Sequence, residues 1–189
     1  RAYVAGWTTQ PYSIEEIKRE FKQGKATGVG LITGQWSNEG GLVWVDIDGT
    51  DSIKDLEELA GAPISAAFPP TLTISSGKKD RQRMLFSVPK DKLNLLPEKA
   101  TIKIGIPAFE ILFRNRQGAI MGNHPDTDGY FTTSHGGFEF AKNPPEMPEW
   151  LYEAIAKAYP INKYKKPVRT GIVTQQVNID YEEGSEYQQ

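Results

Sequence analysis

The residues best suited to chemistry are a set of carboxylates and the basic groups near them. Asp46 and Asp48 stand two apart after the apolar run Leu42-Val-Trp-Val45. On a strand such a pair shares one face, with Cα atoms about 6.5–7 Å apart. That separation can bracket metal ions about 3.5–4 Å apart, the arrangement of two-metal phosphoryl-transfer sites. A third acid, Glu110, lies alone in Ala108-Phe-Glu-Ile-Leu-Phe-Arg114. The segment Ser75-Ser-Gly-Lys-Lys-Asp-Arg81 joins a Ser/Gly turn to a basic cluster, and Arg81 and Arg83 are again two apart. Such a turn offers backbone N–H groups, and guanidinium forks match triphosphate oxygens. Gly122-Asn-His-Pro125 puts His124 in a loop after a short apolar strand.

Each feature also has a plainer reading. Two acids after a strand are often a solvated strand end, Glu110 could pair with Arg114, and His124 could simply shape a loop. His135 reads as a turn residue, Trp44 as a neighbour of the acids on their face, and Trp150 as core. The glycines of Gly28-Val-Gly-Leu-Ile-Thr-Gly34 resemble a phosphate loop, but no GK[ST] or GxGxxG follows, so close backbone packing is favoured. Val45-Asp-Ile-Asp-Gly-Thr50 resembles the DxDGT signature of haloacid-dehalogenase-like phosphatases, where the first Asp is a nucleophile. The downstream acidic pair of those enzymes has no counterpart, and Asp51 stands where they have an apolar residue. Nothing else supports the sugar-nucleotide pocket that would accompany a glycosyltransferase DxD.

These groups need a scaffold, and alternating hydrophobicity predicts one. Val43, Val45 and Ile47 alternate with Trp44, Asp46 and Asp48. Met84, Phe86 and Val88 alternate with Arg83, Leu85 and Ser87, and Phe109, Ile111 and Phe113 with Glu110, Leu112 and Arg114. Strands of this kind build a sheet with a core beneath and a polar cleft above. Further strands are expected at Gly28–Gly34, Leu72–Ser75 and Ala119–Met121, with a hairpin turn at Asp126-Thr-Asp-Gly129. Helices are expected after the capping box Ser13-Ile-Glu-Glu16, over Thr50–Leu59 ended by Gly61, and over Pro148–Tyr159.

The 189 residues suffice for one well-buried domain, and 38% hydrophobic with 24% charged residues is ordinary for a globular protein. Without cysteine, disulfides and Cys-ligated zinc are excluded, and two histidines cannot build a structural zinc site without carboxylate help. No apolar run approaches the roughly 20 residues of a membrane span, and Arg1–Thr9 lacks a signal-peptide core, so a cytoplasmic location is expected. The net charge is −2, yet Thr71–Ile120 carries ten basic residues against four acidic, a zone available for phosphates. Because the chain starts at Arg1 rather than Met, it reads as an excised piece. Residues 162–189 have few apolar positions and read as a polar linker toward a further domain.

Taken in order, these segments resemble the primase-polymerase branch of the archaeo-eukaryotic primase superfamily, in particular the replication proteins of cyanobacteria and their phages and plasmids. The resemblance runs from about Trp7 to Trp150. It joins a GVGLxTG segment (Gly28–Gly34), the DxD (Asp46-Ile-Asp48), an SGxxxR turn (Ser76–Arg81), an acid in an LElR-like strand (Glu110), and a Gln-to-His-Pro segment leading to Gly-Tyr (Gln117–Pro125, Gly129-Tyr130). It implies an α+β fold in which an N-terminal α/β unit packs against an RRM-like unit, with the active site in the cleft between them, over a catalytic domain of residues 1–161. Asp46, Asp48 and Glu110 would be catalytic and hold two Mg2+ or Mn2+ ions. Ser76, Lys78, Arg81, Arg83 and His124 would bind nucleotide. Where the broader superfamily has a histidine after the Ser turn, this chain has Arg83, which would take over the phosphate contact. The superfamily's zinc element is absent. The implied activity is template-directed nucleotidyl transfer from nucleoside triphosphates on single-stranded DNA, with pyrophosphate release, together with a helicase or other domain in the longer chain. The alternatives are a non-catalytic nucleic-acid-binding module on the same scaffold and a DxDGT-type phosphohydrolase.

Overall fold

A computed structural model describes residues 12–37, 39–134 and 137–160. The class is mixed α+β. Helix α1 (Ile14–Lys22) opens with the expected capping box, Ser13 and Glu16 bonding each other's backbone N–H, and none of its residues is buried. Strands β1 (Gly28–Ser37) and β2 (Gly40–Asp48) lead into α2 (Thr50–Ala60), which Gly61 ends in the left-handed conformation. A short α3 (Ile64–Ala67) precedes β3 (Thr73–Ser75) and β4 (Arg81–Pro89). Then come β5 (Thr101–Ile102), β6 (Phe109–Leu112), β7 (Arg116–His124), β8 (Thr127–Thr132) and α4 (Glu149–Ala158).

The strands run in the order β1-β7-β8-β3-β4-β2-β6-β5, and β1 also pairs with β2. Six of them therefore close into an antiparallel barrel, and β6 and β5 extend it beyond β2. The branch arises because β2 changes partners along one edge. Its first residues pair with the end of β1, while Trp44–Ile47 pair with β6. Thr33 sits at the fork, fully buried, its hydroxyl directed at the carbonyls of Leu112 and Phe113 at 3.0 and 2.8 Å.

Alternation on β2, β4 and β6 separates two cores. Val43, Val45, Ile47, Met84, Phe86, Phe109 and Ile111 face outward and are covered by residues such as Leu56 of α2 and Leu151 and Ile155 of α4. Trp44, Leu72, Ile74, Leu85 and Leu112 fill the barrel interior with Leu31, Ile120 and Tyr130. Burying an aliphatic or aromatic side chain contributes about 1.5–3 kcal/mol, so slipping β2 by one residue would forfeit both cores at once. That penalty holds the register on which the acids depend.

One expectation shifts. The hairpin turn lies at Pro125-Asp126, one step earlier than expected, and Thr127–Gly129 belong to β8. Here His124 pairs with Thr127, and the imidazole Nδ1 accepts the backbone N–H of Asp126, closing the turn before the Asp-Gly pair is reached. The glycines of β1 pack closely, as expected: a Cβ at Gly28 would stand 2.7 Å from the carbonyl oxygen of Met121. His135 and residues 161–189 lie outside the described residues. No described helix is long and apolar enough to cross a membrane.

Candidate active site at the barrel mouth

Strand register assembles the site. Asp46 pairs with Glu110 of β6 on one side and with Arg83 of β4 on the other, while Asp48 pairs with Arg81. Because cross-strand partners project from the same face, Glu110, Asp46 and Arg83 form one row. Asp48 and Arg81 form the next, two residues along. This face is the one that lines the barrel interior. Nearer the middle of β2 it carries Trp44, and at the end of β2 it becomes charged.

Each carboxylate is held by a cation. Arg83 donates to Asp46 through both arms of its fork, Nε to Oδ1 at 3.0 Å and a terminal nitrogen to Oδ2 at 2.7 Å. The Arg81–Asp48 contact is looser at 3.8 Å, and both side chains are about half exposed. Glu110 pairs at 2.7 Å with Lys103, a residue just past β5 that sequence reasoning did not single out. The Glu110–Arg114 pair of the plainer reading does not form. Arg114 follows β6 and reaches Glu98 instead, whereas β5 runs antiparallel beside β6 and brings Lys103 within reach of Glu110. Burial raises the pKa of Asp46 above the usual aspartate value, although its bonds to Arg83 pull the other way and Asp48 and Glu110 add a smaller upward push. The bond to Glu110 raises the pKa of Lys103.

Beside this charged row is a polar hollow lined by Asp46, Asp48, Ser76, Arg81, Arg83 and His124, with Ile74, Gln82 and Tyr130. The elements explain the grouping. Strands β3 and β4 form a hairpin whose loop, Ser76–Asp80, is shaped by Gly77 and Asp80 in the left-handed region and by the Ser75 hydroxyl, which accepts the Gly77 N–H. The β7–β8 turn meets this loop, and Lys78 bonds Asp126 at 2.6 Å. Lys78 is thus a clamp at the rim and does not line the hollow. His124 packs edge-on against Tyr130, ring centroids 5.3 Å apart. With Nδ1 accepting a backbone N–H, Nε2 is the ring nitrogen left to donate. A second hollow, lined by Ile64, Phe68, Pro69, Met84 and Phe140 among others, contains no carboxylate.

Gly118 is a further contributor that sequence reasoning passed over. A Cβ there would stand 2.6 Å from Nε1 of Trp44 and 2.8 Å from Cδ of Arg83. Its missing side chain lets the indole and the Arg83 stem occupy the barrel together. Trp44 is fully buried and donates to the Leu31 carbonyl at 3.1 Å, so it serves as the floor beneath the site. Trp150 packs against the outer core and donates to the Ala67 carbonyl.

Three carboxylates on one face are oxygen donors of the type that hard divalent cations take. Among the described residues, however, no group of three His, Cys, Asp or Glu side chains is arranged to hold a metal ion as it stands. A family model, the N-terminal domain of bifunctional DNA primase/polymerase, matches residues 2–150. No curated protein and no solved structure matches the chain.

Proposed function

The chain belongs to the bifunctional DNA primase/polymerase family, and from that premise we propose that Asp46, Asp48 and Glu110 hold two magnesium or manganese ions while Ser76, Arg81, Arg83 and His124 receive the triphosphate. Membership implies DNA primase and polymerase activity in general, with DNA and nucleotides as substrates. In the proposed reaction the 3′-hydroxyl of a growing chain attacks the α-phosphate and pyrophosphate leaves. When bound, such ions would lower the pKa of the attacking hydroxyl and neutralise charge on the transferring phosphate, so no protein base is obligatory. Arg81 and Arg83 orient the phosphates through their forks, and His124 adds a further donor through its Nε2. The rigid β2–β4–β6 register holds these groups in place, which limits the reorganisation needed when substrate arrives.

The observation that carries this reading is the row Glu110–Asp46–Arg83 flanked by Asp48–Arg81, which puts acids and phosphate-binding cations on one face. The reading includes the family's two-part organisation, with the hollow as its cleft. It also includes a partner domain such as a helicase beyond residue 161. To test it, the protein is given single-stranded template, magnesium or manganese and labelled nucleotides without primer. Products longer than a dinucleotide, lost in Asp46→Asn, are expected. No incorporation either with or without a primer would overturn it.

One observation favours a second reading, a non-catalytic nucleic-acid-binding module: all three acids are already ion-paired. In that case single-stranded DNA binds while incorporation is absent. Turnover of a generic phosphate monoester would instead point to a DxDGT-type phosphohydrolase.

A further inference from the structure

The three ion pairs on the proposed metal ligands are unequal, and the difference has a consequence for binding. Lys103–Glu110 and Arg81–Asp48 involve side chains 67%/35% and 45%/52% exposed, and pairs of that kind yield readily to a competitor. Arg83–Asp46 is a two-bonded fork on side chains only 23% and 12% exposed. The Arg83 stem lies against Gly118, with Trp44 alongside, so the arm pivots from a fixed base. A metal ion on Asp46 competes with this guanidinium for the carboxylate oxygens and repels its charge, and a displaced guanidinium in a half-buried position needs another anion. The hollow it lines, with Ser76, Arg81 and His124, is where the nucleotidyl-transfer reading places a triphosphate.

We infer that Arg83 exchanges between Asp46 and the triphosphate, so that divalent metal and triphosphate bind cooperatively through this one side chain. The inference rests on the proposed function. Metal takes the place of Arg83 at Asp46, and triphosphate gives the freed fork a new partner. Linkage makes the effect reciprocal: each ligand strengthens the other by the same factor, for couplings of this kind roughly 5- to 150-fold.

The test uses the full chain and two measurements. Mn2+ affinity without nucleotide is read from the electron paramagnetic resonance signal of the free ion. Affinity for a fluorescent, non-hydrolysable nucleoside triphosphate is read with and without saturating Mn2+. Arg83→Gln is expected to bind Mn2+ about tenfold more tightly than wild type and to lose most of the metal-dependent gain in nucleotide affinity, within the usual range of such couplings. The solution complex of metal with triphosphate contributes equally to both chains and cancels from the comparison. Arg83→Lys, which keeps the charge without the fork, should fall between them and serves if the Gln variant does not fold. Lys103→Gln should shift Mn2+ affinity less than about fivefold, as suits an exposed pair. If both Arg83 variants bind Mn2+ no more tightly than wild type and keep its full nucleotide coupling, the exchange is overturned and the metal site stands. If no chain binds Mn2+, the metal assignment falls and the exchange falls with it.

Discussion

Asp46 and Arg83 depend on each other unequally, and substitutions should show it. Burial raises the Asp46 pKa in the folded protein, so the folded chain holds that proton more tightly than the unfolded one. Ionised Asp46 therefore works against folding at neutral pH. Asp46→Asn should stay folded, because the amide oxygen still accepts from the Arg83 fork, while losing nearly all incorporation; full activity in the purified variant would contradict the metal assignment. Adding Glu110→Gln to Asp46→Asn should cost little more activity, because groups that act as one unit are not additive. Arg83→Ala and Arg81→Ala should both raise the nucleotide requirement roughly ten- to a hundredfold, the equivalent of about 1.5–3 kcal/mol for a charge-assisted contact. They should differ in stability. Arg83→Ala leaves a buried carboxylate without its partner and lowers the melting temperature, whereas Arg81→Ala removes a loose exposed contact and does not. Loss of template binding with normal nucleotide affinity in both variants would instead assign these arginines to DNA.

At the scale of the element, the site is held by strands that come unusually close and by two hairpins that meet. Gly118→Ala on β7 adds a single methyl group, but the atoms it would strike belong to a buried indole and to the Arg83 stem, which cannot simply rotate away. Overpacking of this kind costs about 1–3 kcal/mol. The variant should melt lower and also lose nucleotide affinity, because the displaced group is Arg83 or the floor beneath it. A variant with wild-type melting and wild-type nucleotide affinity would show that the barrel relaxes at no cost. The hairpin clamp is electrostatic. Lys78 lowers the pKa of Asp126, so the clamp is complete at neutral pH and is lost as the pH falls through that lowered value. Lys78→Ala should therefore leave melting nearly unchanged while loosening the loop that carries Ser76, measured as faster amide exchange over residues 76–80.

For the molecule as a whole, charge limits what it can grip. Non-specific DNA binding is driven by counterion release, with log K falling by about 0.7–0.9 per phosphate contact per decade of salt. The net charge is −2, and several of the basic residues of the central zone are already engaged with acids: Lys78, Arg81, Arg83, Lys92, Lys103 and Arg114. The domain is expected to bind single-stranded DNA weakly, with a shallow salt slope worth a few contacts. A salt titration measures this directly; tight binding at physiological ionic strength with a steep slope would mean that the fold assembles a basic groove which the charge count misses.

Much of this arrangement was legible in the sequence because strand alternation is a local property. The period-two patterns of β2, β4 and β6 separated Val43, Val45 and Ile47 from Asp46 and Asp48, and put Arg83 and Glu110 on the faces opposite their apolar neighbours, before any pairing was known. The capping box of α1 and the glycine ending α2 are equally local. What alternation cannot supply is which strands become neighbours. That depended on β2 leaving β1 for β6 at the Thr33 fork, so that Asp46 gained Glu110 on one side and Arg83 on the other from segments 64 and 37 positions away. The same long-range pairing closed the barrel, replaced Arg114 by Lys103 as the partner of Glu110, and gave Gly118 its importance. A glycine that makes room for an arginine 35 residues earlier carries no mark of it in its own neighbourhood, because the clash it avoids exists only once the two strands lie on opposite walls of one barrel.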